Sequence, residues 1–157
     1  MKPADTDVFL TVVAHAPLVS IDLVVRNAGG KILVGRRTNE PAKGTWFVPG
    51  GRIWKDETLD EAFERIARVE LGPGDWHRGH ARLMGAYTHR YPTNFAEVDG
   101  IGTHYVVLSH LLDVEGIDEL PTDQHSGYLW VGGSDLDDPP EGGIHENTAV
   151  YLRELTS

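Results

Sequence analysis

The sequence contains no cysteine. Disulfides, thiol nucleophiles and cysteine metal sites are excluded together, and a reducing, cytoplasmic setting is the natural expectation. Positive charge is scarce: 14 lysines and arginines stand against 24 aspartates and glutamates, a formal net charge of −10. A nucleic-acid partner, which would need a broad basic surface, is not expected. A polyanionic small ligand would need its own group of arginines or a bound metal. Long apolar runs are missing too, so no membrane-spanning segment is expected. The opening Met-Lys-Pro-Ala-Asp-Thr-Asp is too acidic to read as a secretory signal.

What is present is an ordinary globular composition, 40% hydrophobic and 24% charged, in 157 residues. One domain over residues 1–157 is the default. Val19 to Arg26 alternates as a strand, Asn27-Ala28-Gly29-Gly30 turns, and Lys31 to Arg37 returns, so a hairpin is expected. Residues 8–13 fit either a strand or a short helix. Trp46-Phe47-Val48 reads as a short strand leading into a turn at Gly50-Gly51. Further strands are expected at 81–89, 102–114 and 128–131, with a terminal helix over 147–155 that turns Ala149, Val150 and Leu152 inward. Strands around one strong central helix and a terminal one make a mixed α+β layer architecture.

The central helix is the best-marked element. Thr58 and Glu61 fit a capping box, with Asp56 as a competing cap, and Gly72-Pro73-Gly74 ends it. On a helical wheel Leu59, Ala62, Phe63, Ile66 and Val69 share one arc. Glu61–Arg65 and Glu64–Arg68 have favourable i,i+4 spacing. Glu70 breaks the pattern. It sits in the apolar arc and in the last turn, where the helix dipole disfavours a negative charge. Either it has a job, such as holding a cation, or the last turn frays and leaves it in water.

Gly51, Glu57, Arg65, Glu70 and Gly72 fall in the register of the box of the Nudix hydrolases, which act on nucleoside diphosphates linked to another group; the stretch resembles that box. Ile66, Val69 and Pro73 depart from it, the first two replacing carboxylates. Without them the box lacks the usual multi-metal set and the glutamate base for attack at phosphorus. Segments outside the box, including Gly35-Arg36-Arg37-Thr38-Asn39, Trp46 to Arg52, Thr103 to Leu108 and Gln124-His125, resemble the GDP-mannose mannosyl hydrolase branch over roughly residues 9–152.

The resemblance implies a Nudix α/β/α sandwich with a central mixed β-sheet. It implies an enzyme in which water attacks the sugar's anomeric carbon with inversion and GDP leaves. The metal would be Mg²⁺, or Mn²⁺, held by the Gly50 carbonyl, Glu70 and Gln124. His125 would be the general base, since a neutral imidazole can accept the proton. Arg37 would stabilise the diphosphate, Asp22 would hold a sugar hydroxyl or growing positive charge, and Tyr105 would donate to a phosphate. Arg52, Arg65, His89 and Tyr91 would bind substrate, and Glu57 would be a structural acid. A GDP-sugar is the expected small-molecule partner. A homodimer is expected as well, with residues 8–13 as a candidate interface. Two other readings stay open: P–O cleavage of another nucleoside diphosphate derivative, and a non-catalytic nucleotide-sugar-binding domain.

Overall fold

The computed structural model describes residues 5–117, 120–122 and 125–157. Residues 8–13 lie in a helix, α1 (Thr6–His15), capped by the Asp5 side chain, which accepts from the Asp7 N–H at 2.7 Å. Next come the strands β1 (Leu18–Arg26), β2 (Ile32–Arg37), β3 (Trp46–Phe47) and β4 (Gly50–Arg52), then helix α2 (Leu59–Leu71). The chain continues through β5 (Arg82–Tyr91), β6 (Thr103–Asp113) and β7 (His125–Val131) to the terminal helix α3 (Glu146–Thr156). No described helix is long and apolar enough to cross a membrane.

The sheet runs β3-β2-β1-β6-β5, with β4 also on β1 and β7 also on β2. It is mixed: β1 and β6 run parallel, and the remaining pairings are antiparallel. The expected hairpin forms, but its ladder is short, with Arg26 opposite Ile32. Beyond that pair β2 leaves β1 for β7 and β3. The vacated edge of β1 is filled by β4, which pairs Asp22 with Gly50 and Ser20 with Arg52. The turn expected at Gly50-Gly51 is therefore itself a strand, too short and too glycine-rich to show a period of two.

β1 lies inside the sheet with helices on both faces, so most of its side chains are buried. Ile21, Leu23 and Val25 pack with Leu33 and Leu112 against Ala62, Phe63, Ile66, Ala67 and Leu71 of α2. On the other face Val24, Ile32, Val34 and Leu111 pack with Tyr151 and Leu152 of α3. Val150, expected inward, is only half-buried, and Tyr151 takes the fully buried place. Residues 148, 151, 152 and 155 form the i, i+3, i+4, i+7 stripe that marks this face.

The capping box of α2 is complete: the Glu61 N–H donates to Thr58 Oγ1 at 3.1 Å and the Thr58 N–H to Glu61 Oε2 at 3.0 Å. Asp56 does not cap; it sits at φ 72° and pairs with Lys55. The buried arc is rotated from the expected one. Val69 is 51% and Leu59 39% exposed, while Ala67 and Leu71 are buried. The arc therefore centres closer to Glu70, which is 5% exposed within the intact helix. That overturns the frayed-end reading.

Candidate active site

The split between β1 and β2 opens a cavity. Seven of the expected site residues line it: Asp22, Arg37, Gly50, Arg52, His89, Tyr91 and Tyr105. They come from five strands. His89 and Tyr91 alternate onto one face of β5, and Tyr105 stands across from His89 on β6. Arg37 ends β2 on the far side, and Gly50 and Arg52 enter on β4. His89 ends the strand expected at 81–89 and Tyr91 stands two residues beyond it, both on β5 and 5% and 8% exposed.

Asp22 lies at the back of the cavity. Burial pushes its pKa up to about 7, opposed by a hydrogen bond from Tyr151 and the charge of Arg37 and reinforced by the charge of Glu70. The Tyr151 hydroxyl donates to Asp22 Oδ2 at 2.7 Å and accepts from Ser109 Oγ. The polar chain Ser109–Tyr151–Asp22 ties the cavity floor to α3. Tyr151 is a site residue the sequence reading missed, although the stripe on α3 could have found it. Gly50 has to be glycine: a Cβ there would stand 2.6 Å from Asp22 Oδ1.

Two of the expected residues lie outside the cavity lining, in contact with each other. His125 is the first residue of β7, which starts three residues ahead of the strand expected at 128–131, and stands opposite Arg37. It is 4% exposed, and its Nε2 stands 3.2 Å from Glu70 Oε2. Its Nδ1 is buried and has no hydrogen-bond partner among the described residues. The ring presses on Gly35, where a Cβ would meet Nδ1 at 2.5 Å. A carboxylate with so little solvent around it needs a polar partner, and the side-chain contact that Glu70 makes is with this imidazole. Asp22, close enough for Glu70 to raise its pKa, adds a second acid to the same region. Such a pair suits a divalent cation. Among the described residues no three His, Asp or Glu side chains converge as a metal cage. The expected donor set, Glu70 with the Gly50 carbonyl and Gln124, contains only one such side chain; Gln124 lies outside the described residues.

Arg65 is placed differently from expectation. Its guanidinium pairs with Glu57 through Nε at 2.7 Å and Nη2 at 2.8 Å, donates to the Arg52 carbonyl at 2.8 Å, and stacks on Trp54 at 3.7 Å. Its donors face the protein, not the cavity. The expected i,i+4 partners go elsewhere: Glu61 to the capping box and Glu64 to His77 at 3.0 Å. Glu57 is structural, as expected, since it also accepts the Trp54 N–H at 2.7 Å.

The model of the NUDIX domain matches residues 16–152. The chain belongs to the Nudix family. Its fold is the Nudix α/β/α sandwich around a mixed sheet. It is 39% identical over 150 residues to the low-salt glycan biosynthesis protein Agl8 of Haloferax volcanii, covering 95% of this chain and 88% of that protein. An RNA pyrophosphohydrolase of Gluconacetobacter diazotrophicus is 37% identical over 73 residues, covering 43% of this chain and 41% of that protein. Among solved structures, the MutT Nudix hydrolase of Burkholderia pseudomallei superposes with a TM-score of 0.64 at 24% identity, over 88% of this chain and 98% of that one. A bifunctional NMN adenylyltransferase/ADP ribose pyrophosphatase of Francisella tularensis, complexed with AMP and a Mn ion, gives 0.62 at 20% identity, over 95% of this chain and 45% of that one. Nudix hydrolases as a family act on nucleotide derivatives and use divalent metals.

Proposed function

We propose that this Nudix protein, acting as one domain over residues 1–157, hydrolyses a GDP-hexose, GDP-mannose first, to GDP and the free sugar. Water attacks the anomeric carbon with inversion, so the sugar's C–O bond breaks and both phosphates stay with the guanosine. The observation that carries this reading is the inner face of α2. It offers one buried carboxylate, Glu70, while Ile66 is packed under Gly51 and Val69 points to solvent. Those are the two positions where the Nudix box pattern carries carboxylates. The Agl8 name places that protein in glycan biosynthesis, which is compatible with a nucleotide-sugar substrate here.

Glu70, the Gly50 carbonyl and Gln124 would hold Mg²⁺ or Mn²⁺. When bound, the ion supplies charge neutralisation for the departing diphosphate. Arg37 and Arg52 present planar guanidinium forks to the phosphates, and the Tyr105 hydroxyl donates to one of them. Asp22 accepts from a sugar hydroxyl and favours positive charge at the anomeric carbon. His89 and Tyr91 wall the sugar side and limit water. Arg65 acts through Glu57 and the Arg52 carbonyl, fixing β4. His125 takes the proton of the attacking water. A second candidate for that proton is Asp22, because it lines the cavity and its carboxyl is shifted to about 7, whereas His125 stands behind it against Glu70.

A proton NMR time course with GDP-mannose and Mg²⁺ tests the reading. β-Mannose and GDP are expected. Mannose phosphate and GMP would instead establish cleavage at phosphorus, and absence of turnover would leave only a binding domain. His125→Gln and Asp22→Asn, compared across pH, separate the two bases: removing the true one abolishes the limb that rises with pH.

A further inference from the structure

Arg52 lines the cavity, yet among the described residues its guanidinium makes no hydrogen bond or ion pair. What holds it is a ring. Its Cζ stands 4.3 Å over the centroid of Phe9, on α1. Phe9 is in turn stacked on Phe95, centroids 4.9 Å apart and planes 30° from parallel. Phe9 thus touches both Arg52 and Phe95.

Phe95 belongs to an ordered loop. Asn94, fully buried, donates to the carbonyls of Val98 and Ile101 at 2.8 and 2.7 Å and accepts from the N–H groups of Ala96 and Val98. The same loop also reaches a second stretch of the cavity lining. Thr93 Oγ1 donates to Glu40 Oε2 at 2.6 Å, beside Pro41, which lines the cavity. One loop, over residues 92–102, thus contacts the segment carrying Pro41 directly and Arg52 through Phe9.

We propose that Phe9 is a positioning residue: its ring, backed by Phe95, holds the Arg52 guanidinium toward the diphosphate with its N–H donors unspent. A salt bridge could fix Arg52 equally well, but it would occupy the donors and lower the positive charge offered to phosphate. A ring face holds a guanidinium without using a single N–H. The functional half of the proposal rests on the reading of the cavity as a GDP-sugar site; the structural half does not.

The test compares full-length wild type with Phe9→Leu and Phe9→Tyr. Leucine keeps apolar bulk on α1 and removes the ring face, while tyrosine keeps both. Two-dimensional NMR of the Arg52 Nε–Hε group should show a ring-current shift and restricted motion in wild type and Phe9→Tyr, both lost in Phe9→Leu. With GDP-mannose and Mg²⁺, Phe9→Leu should raise KM about fivefold with kcat changed less than about twofold, and Phe9→Tyr should restore KM. An Arg52 signal unaffected by Phe9→Leu overturns the proposal whatever the substrate. A shifted signal with unchanged KM overturns it also, since the arginine's placement would then not matter. If wild type leaves GDP-mannose intact, the substrate reading fails separately, and the affinity for GDP with Mg²⁺ replaces KM. Equal affinity in wild type and Phe9→Leu then overturns the proposal, and weakened affinity restored in Phe9→Tyr supports it.

Discussion

Two histidines in this protein are almost wholly buried against the same helix, and they do different things. His110, on β6, is 1% exposed and meets α2 at Phe63, ring centroids 5.4 Å apart. His125, on β7, is 4% exposed and meets α2 at Glu70. Positions 63 and 70 are two turns apart on one stripe. Each histidine also keeps one ring nitrogen buried without a partner among the described residues, Nε2 in His110 and Nδ1 in His125. Burial and an orphan nitrogen are thus common to both. What separates them is the group opposite: a ring in one case, a carboxylate beside the cavity in the other. His110 Nδ1 contacts the Leu108 carbonyl at 3.0 Å, which closes it into its own strand. A buried histidine points to chemistry when its partner is itself an anomaly, and Glu70 is one.

The largest expected effect breaks the pair apart. If His125 accepts the proton, His125→Gln lowers kcat on GDP-mannose by about 10²–10⁴-fold with GDP affinity little changed, as steady-state kinetics and calorimetry would show. His110→Leu in the same assay should leave kcat within about twofold. Equal losses in the two variants would mean that both histidines merely seat α2. Second in size is the brace that fixes the start of that helix. Glu57→Gln breaks the bidentate pair with Arg65 and should cost about 2 kcal/mol in urea unfolding, since both side chains are mostly buried. KM should rise as well, because Arg65 anchors the carbonyl of Arg52.

Next is a pH effect particular to His110. Burial lowers its pKa, the Leu108 carbonyl opposes that, and the charge of Arg78 adds to it. The folded protein therefore resists protonation that the unfolded chain accepts. Stability from this group is present above the ordinary histidine value near 6.5 and lost as pH falls from there toward the depressed folded value. The slope it contributes is up to about 1.4 kcal/mol per pH unit. His110→Leu should flatten the acid limb of the unfolding free energy against pH, measured by urea unfolding, by up to that amount. An unaltered curve would show that buried His89 and half-buried His145, both also shifted down by burial, carry the acid sensitivity.

α2 was legible in residues because its ends carry chemistry: a capping box at Thr58 and a glycine at Gly72, here at φ 87°. Glu70 was legible as a violation of the stripe. The cavity residues came through the family resemblance, because Asp22 alternates on a strand as any half-exposed acid would, and alternation cannot say that β4 will pair beside it. The partners of Arg65 and Glu61 were misread for a related reason. Helix spacing makes Glu61 and Arg65 neighbours, but Glu57, beyond the helix start, offers both oxygens in plane, and Glu61 is already committed to the cap. Phe9 and Phe95 lie 86 residues apart, and nothing local in either segment names the other.

The smallest effect tests whether the two histidine contacts depend on α2 as a whole or on its separate ends. Thr58→Ala removes the side chain that accepts the Glu61 N–H and leaves Glu61 without its reciprocal partner. Loss of such a cap costs about 1 kcal/mol, readable as a small drop in the urea midpoint. The damage is a fraying first turn. Glu70 lies 12 residues further along the helix, roughly 18 Å at 1.5 Å per residue, within the turn closed by the Gly72 N–H on the Arg68 carbonyl. The contact of Glu70 with His125 should therefore survive, and kcat with it, while stability falls. A parallel fall in kcat would mean that α2 shifts as a rigid rod, so that the site at its end is set by its first turn and not by the close packing of His125 on Gly35.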